Sequence, residues 1–177
     1  EDRPTGTGFV NREIHSGSFA FQNVEFAYPN SDQKVLNGLT FAVQPGQRVG
    51  IIGRIGSGKT TIGRLLGGLY PPTGGSLMID GIDVRQYHPA IIRSAVSVAS
   101  QSADLFSGSV KENLLMGRAD ATDAEIIEVA RKTGVDEFVS RHPRGYDMQV
   151  GERGGNLSGG QRQAMAIARL LLARPKI

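Results

Sequence analysis

Apolar and polar residues alternate along the first part of the chain, which is the spacing of half-buried β-strands. The alternation runs through residues 18–28 and again through residues 35–43, and Pro29-Asn30 predicts the turn between them. We therefore interpret these two segments as antiparallel neighbours. Further strands are predicted over residues 47–52, 76–80 and 96–99, and the first of these is a continuously apolar run of the type buried on both faces of a parallel sheet.

Helical spacing of apolar residues marks other parts of the chain. A helix is predicted over residues 60–70, between a glycine-rich turn and Pro71-Pro72, because proline cannot continue a helix. Another is predicted over residues 123–133, with Thr122 as its N-cap. The remaining helices are predicted over residues 89–95, 109–116, 135–141 and 158–173.

The order of these elements divides the chain into four segments. Residues 1–16 have no apolar periodicity and are interpreted as a linker or irregular arm. Residues 17–106 are predicted to hold an antiparallel β arm and an α/β core, and residues 107–173 a helical subdomain. Residues 174–177 are interpreted as the start of one more strand.

Composition narrows the class of protein. The 177 residues include 24 glycines and no cysteine, and 39% of them are apolar, which excludes disulfide scaffolds and low-complexity chains and permits a real core. A net charge of +3 is too small to indicate nucleic acid or anionic lipid as the main partner. The polar N-terminus lacks the basic start and apolar centre of a secretory signal.

The strongest chemical signal is the segment 53–60, GRIGSGKT, which matches the pattern G-x-x-x-x-G-K-[ST] between a predicted strand and a predicted helix. Glycines there allow successive backbone N–H groups to surround a phosphate chain at the positive end of a helix. Lys59 is expected to reach the β- and γ-phosphates of ATP and to serve catalysis, and the Thr60 hydroxyl to bind Mg²⁺. The candidate nucleotide-binding residues are Gly53, Gly56, Ser57, Gly58, Lys59, Thr60 and Thr61.

A second anion-binding helix start is predicted at residues 157–161, LSGGQ. It offers the Ser158 hydroxyl and the backbone N–H groups of Gly159, Gly160 and Gln161, but no lysine, so it can complete a phosphate site and cannot form one by itself. Taken alone, Ser158 is better explained as an ordinary N-cap after a glycine turn.

Together, LSGGQ and GRIGSGKT resemble the signature and Walker A motifs of the nucleotide-binding domain of ABC transporters, and the resemblance extends along essentially the whole chain. It implies a P-loop NTPase α/β core with an antiparallel β arm and an inserted helical subdomain. It also implies that Tyr28 stacks on adenine and that Gln101 contacts Mg²⁺ or the attacking water. A strand-edge core tyrosine and a surface glutamine are the structural alternatives.

The resemblance further implies that the chain is incomplete. In the family, the segment after LSGGQ leads into the Walker B strand, which ends in an aspartate and a glutamate, and a histidine follows later. This sequence ends at residue 177, at the expected start of that strand. We therefore expect weak ATP binding and poor hydrolysis from the chain alone, with residues 47–52 left as an unpaired apolar edge.

The partners are implied by similarity to exporters, which carry a loop like residues 150–154, VGERG, before the signature. This implies a transmembrane domain fused before residue 1, a homodimer of nucleotide-binding domains and a place on the cytoplasmic face of a bacterial inner membrane. Residues 48–61 and 135–154 look most like type I secretion ATPases, which work with a membrane-fusion protein and an outer-membrane channel.

Two other classes remain open. A soluble ABC ATPase acting on nucleic acid would share both phosphate motifs, although the VGERG loop and the small net charge argue against it and no nucleic-acid partner is expected. A non-catalytic nucleotide-binding or dimerisation module is the other. The presence of membrane helices upstream would exclude the first, and turnover measured on a longer chain would exclude the second.

Overall fold

The computed structural model of the chain describes residues 8–10, 12–99 and 104–177. Its strands form one antiparallel sheet with the order β2-β1-β3-β4. These strands are β1 Phe19–Ala27, β2 Lys34–Val43, β3 Gly74–Ile79 and β4 Ile82–Asp83. The pairing of β1 with β2 confirms the predicted hairpin, and β3 confirms the strand expected near residues 76–80.

One side of this sheet carries the core of the first unit of the fold, which comprises the chain up to Val98 together with Lys176–Ile177. Phe21 of β1 is fully buried and stacks on Phe41 of β2, with ring centroids 4.9 Å apart. The described residues of this unit include two helices, α1 Lys59–Leu66 and α2 Pro89–Ala95. The core is thus assembled from aromatic residues of the hairpin and aliphatic residues of the helices, each worth about 1.5–3 kcal/mol when fully buried.

Helix α1 is shorter than the predicted helix over residues 60–70. Leu69 donates its backbone N–H to the carbonyl oxygen of Arg64 and Gly68 to that of Leu65, which is the pattern of a Schellman motif. Gly68 has a φ of +72°, a conformation that glycine adopts without strain. The helix therefore ends before the two prolines, and it is the glycine pair that ends it.

Residues 47–52 do not form the predicted buried strand. They have no regular secondary structure, and Ile52 is 100% exposed. None of the strands in the described part of the chain lies beside this segment, so its backbone has no ladder partner and its apolar side chains remain in contact with solvent. The exposure agrees with the expectation of an unpaired apolar edge.

The strand predicted over residues 96–99 and the start of a strand at residues 174–177 are not formed either. The two segments nevertheless approach each other, because Ser97 donates to the carbonyl oxygen of Ile177 at 2.9 Å and Ile177 donates to that of Ala95 at 3.0 Å. This alternation of donor and acceptor is that of a single parallel bridge. One such bridge is too short to make a strand.

The second unit comprises residues from Ala99 to Pro175 and contains four helices in its described part. They are α3 Val110–Leu115, α4 Asp123–Thr133, α5 Val135–Val139 and α6 Gly159–Leu172, with short 3₁₀ turns at Gly145–Asp147 and Glu152–Gly154. Helix α4 has the predicted bounds and the predicted Thr122 cap, completed by Glu125 as a capping box. None of the described helices is long and apolar enough to cross a membrane.

The described residues just before β1, 12–18, form no helix or strand, but they are attached to the sheet. Ile14 lies in the core with 4% of its surface exposed. Asp80, in the turn after β3, accepts the backbone N–H groups of His15, Ser16 and Ser18 and the hydroxyl of Ser16. Asp80 therefore fixes the path by which the chain enters β1.

Candidate functional site

The segment predicted to bind phosphate is a tight loop that ends at the first turn of α1. Gly58 is the N-cap of this helix and has a φ of +87°. A Cβ atom at Gly58 would lie 2.8 Å from Leu36 Cδ2 and 3.1 Å from the carbonyl oxygen of Val35, so any other residue would be crowded as well as strained. No side chain caps this helix, which leaves its first N–H groups available to an anion.

Lys59 lies at the beginning of α1 with its ammonium group turned into the loop. Its Nζ donates to the carbonyl oxygens of Gly53 at 2.8 Å and Arg54 at 2.7 Å. Ser57 Oγ lies 3.4 Å from the same Nζ. These carbonyls are neutral acceptors, and an anionic oxygen would add the attraction of opposite charges to the hydrogen bond. The loop thus holds a cation in its centre that a phosphate chain would pair with.

The next two side chains of α1 differ in environment. Thr60 is exposed, as a residue that binds Mg²⁺ beside bound phosphates must be. Thr61 is buried, and its Oγ1 lies 2.9 Å from the hydroxyl oxygen of Tyr28. In the structure, then, the Thr61 hydroxyl contacts the protein, while its backbone N–H remains part of the helix start.

Mg²⁺ fits this set of residues through Thr60. The ion commonly takes only one or two protein oxygens and completes its octahedron with phosphate oxygens and water. A single hydroxyl next to a triphosphate is therefore enough as the ligand from the protein. Among the described residues, no group of three or more His, Cys, Asp or Glu side chains could hold a metal ion. Most of the ligands of Mg²⁺ would come from the phosphate chain and from water. Gln101, the other expected metal-binding and catalytic residue, lies outside the described residues.

Tyr28 follows β1 directly and lies against α1. Its ring makes edge-on contacts with Phe26 at 4.9 Å and Tyr70 at 5.5 Å. Arg64 Nη1 donates to the Tyr28 hydroxyl at 2.9 Å, one helical turn beyond the phosphate loop. The structure therefore places the ring beside the helix that carries Lys59, partly buried against the core of the first unit. Stacking of Tyr28 on adenine stays a prediction. Arg64 is a residue that the sequence analysis missed, because an exposed arginine on a helix gives no signal in the sequence.

The signature segment forms the start of α6 in the second unit. Ser158 Oγ accepts the backbone N–H of Gln161 at 3.2 Å, and Gln161 Oε1 accepts that of Ser158 at 2.8 Å, which is a complete capping box. The Ser158 hydroxyl keeps its own proton for a further acceptor. Ser158, Gly159 and Gly160 are all exposed. The segment is thus an N-cap, and the exposure of its first residues leaves the helix start open to an anion.

Comparison with known proteins assigns the family. A family model described as "ABC transporter" matches residues 36–177. The chain therefore belongs to the ABC transporter family, as an ATP-binding domain of that family. A solved structure described as a bacterial Atm1-family ABC exporter with ATP bound has a TM-score of 0.89 and 39% identity to it, over 99% of this chain and 30% of that chain. The α/β ABC ATPase fold expected from the sequence is therefore confirmed.

Two curated relatives show how broad this family is. The chain is 43% identical over 171 residues to ABC transporter B family member 4 of Dictyostelium discoideum. The aligned residues make up 96% of this chain and 22% of the relative. The chain is 44% identical over 163 residues to antigen peptide transporter 1 of Rattus norvegicus, covering 91% of this chain and 22% of the relative. The chain thus spans less than a quarter of the length of these relatives.

Proposed function

We propose that this chain binds ATP and Mg²⁺ and that, within its full-length protein, hydrolysis of that ATP drives export of a substrate across a membrane. The single observation that carries the proposal is the loop over residues 53–58, which leads into an uncapped helix and holds the Lys59 ammonium group at its centre. Lys59 and the first N–H groups of α1 would hold the phosphates, and Thr60 the ion.

ATP titration of the full-length protein tests this proposal. Replacing Lys59 by alanine removes the cation and should weaken MgATP binding by about tenfold or more. Lys132→Ala is the matched control, because it removes an equally charged, exposed side chain from α4 in the other unit. Equal affinities for the Lys59→Ala and unmodified proteins would overturn the proposal.

Within the same proposal, two copies of the domain act together, with a transmembrane domain fused before each. The signature helix start has no lysine, and the nearby Arg162 guanidinium donates to the carbonyl oxygen of Leu157 at 2.8 Å. The segment is therefore suited to a phosphate whose charge is neutralised mainly by Lys59 of a second copy. The long relatives support a larger protein around this domain. We place it on the cytoplasmic face of a bacterial inner membrane, where protease protection of the full-length protein in membrane vesicles tests the orientation.

For the cargo, we propose a protein exported by type I secretion, together with a membrane-fusion protein and an outer-membrane channel. The support is the resemblance of residues 48–61 and 135–154 to that group of ATPases. Deleting the gene should abolish secretion of the cargo and leave small-molecule efflux unchanged. Loss of drug or short-peptide efflux with unchanged protein secretion would contradict this assignment.

Slow hydrolysis by the 177 residues alone stays a prediction, tested by turnover against the full-length protein.

A further inference from the structure

The Tyr28 hydroxyl lies between two side chains of α1. A guanidinium group can only donate, so the Tyr28 oxygen accepts from Arg64 Nη1 at 2.9 Å. The Thr61 Oγ1 atom lies 2.9 Å from the same oxygen, and either hydroxyl can donate in that hydrogen bond. Because Thr61 is 4% exposed, its hydroxyl is held in place by the packing of the core. Tyr28 is therefore held at its hydroxyl from both sides.

Arg64 also touches the ring itself. Its guanidinium carbon lies 5.7 Å from the centroid of Tyr28, within the range of a cation–π contact. Phe26 and Tyr70 pack against the same ring at right angles. The Tyr28 ring is thus restrained by two aromatic neighbours, one threonine hydroxyl and one cation, which together limit its rotation.

We infer that Arg64 is a positioning residue for the nucleobase, acting through Tyr28. An aromatic ring gains stacking energy with any flat base, but the gain is larger when the ring is already held in the stacking orientation before the base arrives. Arg64 supplies that orientation through one charged hydrogen bond and one cation–π contact. The inference rests on the proposed ATP-binding function and deepens it, because it assigns a residue to the base rather than to the phosphates.

The role can be separated from that of an ordinary positive charge by a ligand that has no base. An arginine that attracts phosphate would affect ATP and inorganic tripolyphosphate alike, whereas a residue that orients Tyr28 affects ATP alone. Arg64→Ala should therefore weaken MgATP binding by about fivefold to tenfold and leave tripolyphosphate within about twofold. Arg64→Lys, which keeps a cation and a donor, should recover part of the loss.

Calorimetric titration of the full-length protein with both ligands is the experiment. Tyr28→Phe keeps the ring and removes the hydroxyl, so its loss in ATP affinity should resemble that of Arg64→Ala, and the double variant should show little further loss. Arg93→Ala, an exposed arginine of α2, is the matched control and should change neither affinity. Thermal unfolding of each variant checks that the fold is intact.

The possible outcomes separate the two hypotheses. An equal loss of tripolyphosphate affinity in Arg64→Ala, or fully additive losses in the double variant, would overturn the role of Arg64 and leave the ATP site standing. An unmodified protein that binds neither ligand would instead refute the proposed function.

Discussion

Gly58 joins the backbone conformation of the phosphate loop to the packing of the sheet. Its positive φ turns the chain into α1, and its missing side chain lets the loop lie against Val35 and Leu36 of β2. A side chain at this position would meet both the strain and the crowding. The loop therefore depends on one residue for its shape and for its contact with the hairpin.

A pair of glycine substitutions separates the two effects. Gly46 has a φ of +74°, but nothing lies within 4 Å of its Cβ position. Gly46→Ala should therefore cost about 1 kcal/mol of unfolding free energy from backbone strain alone. Gly58→Ala should cost clearly more, about 2–3 kcal/mol, and should also abolish ATP binding. Denaturant unfolding and ATP titration of both variants measure this, and equal costs would show that crowding at Gly58 is unimportant.

At the scale of secondary-structure elements, the start of α6 has a proposed second role, anion binding, that the start of α4 lacks. Ser158 and Thr122 are both N-caps in complete capping boxes, so each stabilises its helix by about 1 kcal/mol. Only Ser158 belongs to a glycine-rich helix start that can accept an anion. This makes Thr122 a natural control for the loss of the cap.

Alanine variants of the two caps should therefore differ in activity and agree in stability. Both Ser158→Ala and Thr122→Ala should lower the free energy of unfolding by about 1 kcal/mol. Only Ser158→Ala should lower ATP turnover of the full-length protein, by about tenfold. The signature helix start would have no role in catalysis if the two variants kept the same turnover.

Another element, the segment 47–52, exposes apolar side chains. Ile52 is 100%, Val49 52% and Ile51 46% exposed. We expect the 177-residue chain to bind a hydrophobic dye and to aggregate, because exposed apolar side chains stand beside backbone that has no ladder partner among the described strands. Ile52→Lys should reduce both dye fluorescence and light scattering. Leu69→Lys, which charges an exposed leucine just after the end of α1, should have the smaller effect. The reverse order would contradict the role of the segment 47–52 in aggregation.

At the scale of the whole molecule, two carboxylates make the free energy of unfolding depend on pH. Burial alone would raise the pKa of Asp80, but hydrogen bonds from Ser16, His15 and Ser18 outweigh it and lower the pKa to about 2. The guanidinium of Arg118 and hydrogen bonds from Thr122 lower the pKa of Glu125 to about 2 as well. One carboxylate lies in each unit of the fold.

The sign of the effect follows from these pKa values. Both groups bind protons more weakly in the folded chain than in the unfolded chain, where their pKa values are about 3.9 and 4.3. Their stabilisation is therefore complete above about pH 5 and is lost as the pH falls toward about 2. Asp80→Asn and Glu125→Gln should each flatten the decrease in melting temperature between about pH 6 and about pH 3. An unchanged slope in both variants would contradict the role of these carboxylates.

The sequence by itself determined the parts of this protein that depend on near neighbours. The hairpin, the α4 cap at Thr122 and the loop that leads into α1 follow from patterns within a few residues, and all were predicted. Hydrophobic periodicity and capping act over one turn or one strand, so a linear pattern records them.

Only the tertiary structure decided which distant groups meet. The bond from Arg64 to Tyr28 joins residues 36 positions apart, and the bond from His15 to Asp80 spans 65 positions. The segment 47–52 reads as a strand, yet a strand requires a neighbour, and none of the strands in the described part of the chain lies beside it. Pairing across the fold is a property of the assembled chain, because each partner is set by packing that no local pattern specifies.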